Sequence, residues 1–169
     1  MLSEFKYVEF FVSNAKQASH YYRSVFGFKG YAYSGPETGN EEFASYVLKQ
    51  NKIFFVLTTA LSDEHSISKW VKKHGDGVSE IAFSSNTPNE DYNYAIENGA
   101  QSFYDYKELK DLNGVYKSAA VKTYGEVIHS FIDSSEYSGI WKPGFIEYNP
   151  DPVPSNKVDL LLVDHIVGN

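Results

Sequence analysis

Apolar and polar positions along the chain spell out one pattern twice. Lys6–Val12 (KYVEFFV) is short and rich in aromatic and β-branched residues, which predicts a strand. Ser13-Asn14 supplies an N-cap. From Ala15 onward, Ala18, Tyr21, Tyr22, Val25 and Phe26 fall on one helical face, and Gly27 stands where a left-handed C-cap belongs. That spacing predicts a helix of about three turns. Strands are expected next at Phe28–Tyr33 and, after the Gly- and Pro-bearing loop Ser34–Asn40, at Glu42–Lys49 and Ile53–Thr58 around a turn at Gln50-Asn51. The order is β-α-β-β-β.

A short helix is expected from Ser62-Asp63 through Ile67, Trp70 and Val71, ended by Gly75, after which the pattern begins again. Val78–Phe83 reads as a strand. Thr87-Pro88-Asn89-Glu90 has capping-box spacing with proline at the first helical position, so a helix should run to Asn98, with Tyr92, Ala95 and Ile96 inward and Gly99 as its stop. Strands at Ser102–Tyr106, Val115–Lys122 and Glu126–Asp133 complete a second β-α-β-β-β. A shift of 72 residues lays Phe11 on Phe83, Ser13-Asn14 on Ser85-Asn86, Tyr22 on Tyr94 and Gly27 on Gly99, which marks an internal repeat.

Two modules, at about 5–60 and 77–134, therefore make up an α+β domain at 1–154, completed by a wrapping segment at 135–154 whose Gly, Pro and Ser lie among aromatics. Asn149–Pro154 reads as a linker. Residues 155–169 then open something new, because Val158–Val167 (VDLLLVDHIV) is apolar enough to be a buried strand.

Composition narrows the partners. With 42% apolar and 17% aromatic residues, the chain of 169 residues can fill a core. A net charge of −7 without any run of five like charges argues against nucleic acid or an anionic membrane as partner. The absence of cysteine leaves only His and carboxylates for a metal. No apolar run approaches the ~20 residues of a membrane span, and Met1–Lys6 lacks a signal-peptide pattern. A soluble, cytoplasmic protein is the expectation.

Paired βαβββ modules resemble the vicinal oxygen chelate superfamily, in which two modules curl into mixed-sheet half-barrels, as in glyoxalase, bleomycin-resistance and dihydroxybiphenyl-dioxygenase proteins. Particular words sharpen the resemblance. Val8–Ala18 (VEFFVSNAKQA), Tyr21–Phe28 (YYRSVFGF), Gly35–Gly39 (GPETG), Lys73–Val78 (KHGDGV), Thr123–Glu126 (TYGE) and Tyr137–Gly139 (YSG) are similar to the N-terminal domain of 4-hydroxyphenylpyruvate dioxygenases. Asp164–Asn169 (DHIVGN) is similar to the opening of that family's C-terminal catalytic domain.

The resemblance implies an enzyme of tyrosine breakdown that turns 4-hydroxyphenylpyruvate and dioxygen into homogentisate and carbon dioxide on Fe(II). It implies a 2-His-1-carboxylate metal face, which leaves open positions on iron for a 2-oxo acid and O₂. Carried over residue by residue, it places the first histidine ligand on His165, with the remaining ligands in a catalytic domain beyond this sequence. One ligand cannot hold catalytic iron, so this chain alone is expected to bind none and to be inert, with His165 solvent-exposed. The implied partners are that catalytic domain and further copies of the chain. The related hydroxymandelate synthases and self-sufficient glyoxalase-like binding or lyase modules stand as alternatives.

In metal-binding relatives the ligands sit on the first and last strands of each module, here near Tyr7, Glu80 and His129. Tyr7 aligns with Glu80 at a shift of 73 whereas the helices align at 72, and a slip of one residue turns a side chain to the other face. Glu80 and His129 would make two ligands and Tyr7 a poor third, so an emptied, structural cavity is expected. His20 and His65 read as packing or surface residues, and His74, before Gly75, as a cation at a helix C-terminus. Phe10-Phe11, Phe54-Phe55 and Tyr21-Tyr22 read as core.

Overall fold

The computed structural model describes residues 2–168. Met1 and Asn169 lie outside it, so the last residue of the Asp164–Asn169 stretch is not placed. Two βαβββ modules are present. The first comprises β1 (Leu2–Phe11), α1 (Ala15–Phe26), β2 (Lys29–Ser34), β3 (Phe43–Gln50) and β4 (Ile53–Ala60). After α2 (Ser66–His74), the second comprises β5 (Gly77–Ser85), α3 (Pro88–Glu97), β6 (Gln101–Asp111), β7 (Gly114–Lys122) and β8 (Ile128–Asp133). The short strand β9 (Ile146–Glu147) follows.

Both modules share one strand permutation. The first is ordered β1-β4-β3-β2, with β9 added at the β2 edge, and the second β5-β8-β7-β6. In each, the helical connection lets the first strand lie beside the last. β5 and β8 are parallel, whereas β6-β7, β7-β8, β2-β3, β3-β4 and β2-β9 are antiparallel, giving the mixed sheet expected of this fold class.

Local chemistry sets the helix ends. Asn14 accepts from the Gln17 N–H at 3.0 Å, and Gly27, at φ 77°, closes α1 in the left-handed region. α1 buries its inner face on Val12, Phe28, Leu48, Ile53 and Leu57, with Phe10, Tyr22 and Phe55 packed alongside. Leu48 and Leu57 are wholly buried, and each contributes about 1.5–3 kcal/mol. Phe10, Phe55 and Tyr22 thus join the core, while Tyr21 is half exposed. α3 covers a smaller cluster in the second module, where Tyr92 packs with Ala119, Val121 and Phe131.

Several local expectations are corrected. α2 begins at Ser66, with His65 as N-cap through an Nδ1 that accepts from the Ile67 N–H at 3.2 Å, because Ser62–His65 folds as a turn. Thr87 makes no side-chain cap bond; Ser85 Oγ instead accepts from the Thr87 N–H and donates to Asp91. Val158–Val167 is not a strand. Asp159 takes φ 55°, which breaks the extended run, and the Lys52 N–H to the Leu161 carbonyl is a single bond where a ladder would need several.

Candidate functional site

The register of β5 on β8 decides which side chains of the second module can meet. Ile81 lies opposite His129, Ala82 opposite Ser130 and Phe83 opposite Phe131. Partners in a ladder share a face and neighbours along a strand alternate. Phe131 belongs to the cluster beneath α3, so His129 lies on the helix-covered side and Glu80 on the other. Glu80 and His129 therefore cannot ligate one ion, which removes the two-ligand arrangement considered from the sequence.

Glu80 is instead met by Tyr7. The phenol donates to Glu80 Oε1 at 2.7 Å, with the two residues 5% and 9% exposed, and the Tyr7 ring lies 5.4 Å from that of Trp141. The phenol's proton thus satisfies one oxygen of the buried carboxylate. The repeat supports the equivalence of Tyr7 and Glu80, because the N-caps Asn14 and Thr87 are 73 positions apart while Gly27 and Gly99 are 72 apart, so the slip is absorbed within the helices. On the same unit, the Lys107 ammonium stands 3.9 Å above the Tyr104 ring. Burial, reinforced by Lys142, holds that amine below its ordinary range, and Glu80 partly offsets them.

His129 has different surroundings. Its ring lies 5.3 Å from Phe83 and 6.0 Å from Tyr124, and its buried Nε2 has no hydrogen-bond partner. Burial holds the imidazole below its ordinary pKa. Among the described residues, no three His, Asp or Glu side chains lie close enough to hold a metal.

The first module carries a relay that sequence reasoning missed. On the face opposite α1, Thr58 donates to Glu9 Oε1 at 2.5 Å, and Ser45 Oγ lies 2.7 Å from Thr58 Oγ1, both hydroxyl residues being buried. Its signal was available. Counted out from the Gln50-Asn51 turn, Ser45 and Thr58 are cross-strand partners, two hydroxyls facing each other on the side opposite α1.

His165 lies on the irregular C-terminal segment, exposed, with Nδ1 2.7 Å from Asp164 Oδ2. The preceding residues are tied to the first module. The Asn156 N–H donates to the Ser24 carbonyl, Asn51 Nδ2 donates to Asp159 Oδ1 and to the Leu160 carbonyl, and Val163 packs on the α1 core. His20 approaches Ser24 Oγ at 3.3 Å, and the His74 ring lies tilted 4.8 Å from that of Trp70.

The fold has solved counterparts. A triple mutant of 4-hydroxymandelate synthase from Streptomyces coelicolor superposes with a TM-score of 0.78 at 22% identity, over 93% of this chain and 45% of that one. Methylmalonyl-CoA epimerase from the same organism does so with a TM-score of 0.65 at 18% identity, over 82% of this chain and 99% of that one. This chain has the vicinal oxygen chelate fold. No family model matches it. Whole-sequence relatives are more specific. It is 41% identical over 170 residues to a 4-hydroxyphenylpyruvate dioxygenase of Dictyostelium discoideum, covering 98% of the chain and 46% of the relative. It is 39% identical over 173 residues to that of Tetrahymena thermophila, covering 98% and 43%. The chain is similar over nearly its whole length to 4-hydroxyphenylpyruvate dioxygenases and spans about half the length of these relatives.

Proposed function

We propose that this chain is the N-terminal, non-catalytic part of a 4-hydroxyphenylpyruvate dioxygenase, serving the folding and assembly of the whole enzyme. The observation that carries the reading is identity spread over 98% of the chain but under half of each relative. In the whole protein the reaction would join 4-hydroxyphenylpyruvate and O₂ on Fe(II), giving homogentisate and CO₂ in tyrosine breakdown. The domain would end near Pro154, and residues 155–169 would lead into the catalytic domain. His165 would be the first iron ligand there, one member of a set this chain does not complete. Among the described residues no set of His, Asp and Glu side chains converges as an iron centre would require. A soluble, cytoplasmic homo-oligomer is the setting we assign.

The test compares two proteins under one assay with Fe(II) and ascorbate: the longer reading frame that includes this sequence, and the chain alone. Homogentisate should form only with the former, and the chain alone should retain no stoichiometric iron after desalting. Turnover by the isolated chain would overturn the reading.

A further inference from the structure

A cleft of about 880 Å³ on the first module opens between the ends of β2 and β3 and the irregular residues 155–159. Its lining sets three lysines, Lys29, Lys49 and Lys157, against one carboxylate, Asp159. That local balance is opposite to the chain's net charge of −7. Lys29 and Lys49 are direct cross-strand partners, an arrangement in which like charges destabilise a sheet. Asp159 accepts from Asn51 Nδ2, also of the lining, at 2.9 Å. Among the described residues, none of the three ammonium groups has a carboxylate partner.

The cleft is also shaped by its surroundings. The Lys49 ammonium lies 5.4 Å and 5.1 Å from the ring centroids of Tyr31 and Phe54, whose faces hold it in place. Gly27 lets the segment approach closely, since a Cβ there would sit 2.6 Å from the Asn156 carbonyl oxygen, and Asn156 is anchored on the last turn of α1.

We propose that this cleft binds a small polyanion through Lys29, Lys49 and Lys157, a ligand carrying two or more negative charges on oxygen, as a phosphoryl group or a dicarboxylate does. Lysine ammonium groups are compact charges with three donors each and can converge on such an oxyanion. An anion between Lys29 and Lys49 turns a cross-strand repulsion into a bridge. The proposal does not depend on the activity of the longer relatives.

The probes are inorganic pyrophosphate and malonate, titrated separately into the isotope-labelled chain at low ionic strength while amide shifts are followed by NMR. Saturable shifts are expected at Gly30, Asn51 and Asn156, with a Kd at or below about 1 mM. Replacing two of the charges, as Lys29→Gln with Lys49→Gln, should weaken binding about fivefold or more. Lys157→Gln, on an exposed irregular segment, should weaken it in the same direction and serves if the paired variant unfolds. Binding of pyrophosphate alone assigns the site to phosphoryl ligands, and binding of malonate alone to carboxylates. Shifts absent with both probes at about 10 mM, or undiminished in the variants, overturn the proposal.

Discussion

Tyr7 and Glu80 show how much can rest on a single buried contact. The carboxylate is buried, and the phenol is its donor. Tyr7→Phe should destabilise the chain by about 1–3 kcal/mol in urea denaturation, since a buried acceptor loses its partner. Glu80→Gln should cost less, because the amide oxygen still accepts. His129 gives a pH signature. Its folded pKa is depressed by burial below the ordinary 6.5, so stability is complete above that value, where both states are neutral. It falls as pH drops below it, because the unfolded chain takes up the proton first. His129→Leu should flatten the unfolding midpoint between pH 6.5 and the folded value, and a native slope that persists in the variant would refute the assignment. The sequence paired Tyr7 with Glu80 by the repeat but not their contact. The words around Tyr7, Glu80 and His129 mark the right strands, but the face each side chain takes depends on the register of β5 on β8. Only the facing hydroxyls of Ser45 and Thr58 gave a local hint of the Glu9 relay.

Elements were read best where their ends carry their own chemistry. Asn14 and Gly27 bracket α1 because an Asn side chain can cap locally and glycine tolerates positive φ. Val158–Val167 was misread because an apolar run announces burial but says nothing about a neighbour for a ladder. The two helix-stop glycines offer a contrast. Gly99, at φ 96°, has open space where a Cβ would go, so Gly99→Ala should cost only the backbone term of about 1–2 kcal/mol. Gly27→Ala adds a clash with the Asn156 carbonyl to the same strain and should cost more than Gly99→Ala in thermal unfolding. It should also speed hydrogen exchange at the Asn156 amide, which donates to Ser24; equal effects of the two variants would show that the segment is not held there.

For the molecule as a whole, the repeat was the most legible feature, because strand and helix periods recur in one order and the same permutation follows twice. The one-residue slip between the repeats left open which face each candidate ligand takes, and in the second sheet Glu80 and His129 lie on opposite sides.

The two-residue strand β9 has a further consequence. It occupies the outer edge of β2 through Ala32↔Glu147 and Tyr33↔Ile146, and the Tyr148 N–H donates to the Tyr31 carbonyl. The edge it covers bears three aromatic or small apolar residues, whereas the outer strand of the second module, β6, is studded with Asp105, Lys107, Glu108, Lys110 and Asp111. Charge discourages a second chain from adding to β6, whereas the stretch of β2 that β9 covers, Tyr31–Tyr33, carries none. A chain ended at Pro143 should therefore become sticky, with light scattering that rises with concentration while the longer chain stays monodisperse at matched loading. The segment beyond the second module works as a stopper on an otherwise open-ended sheet.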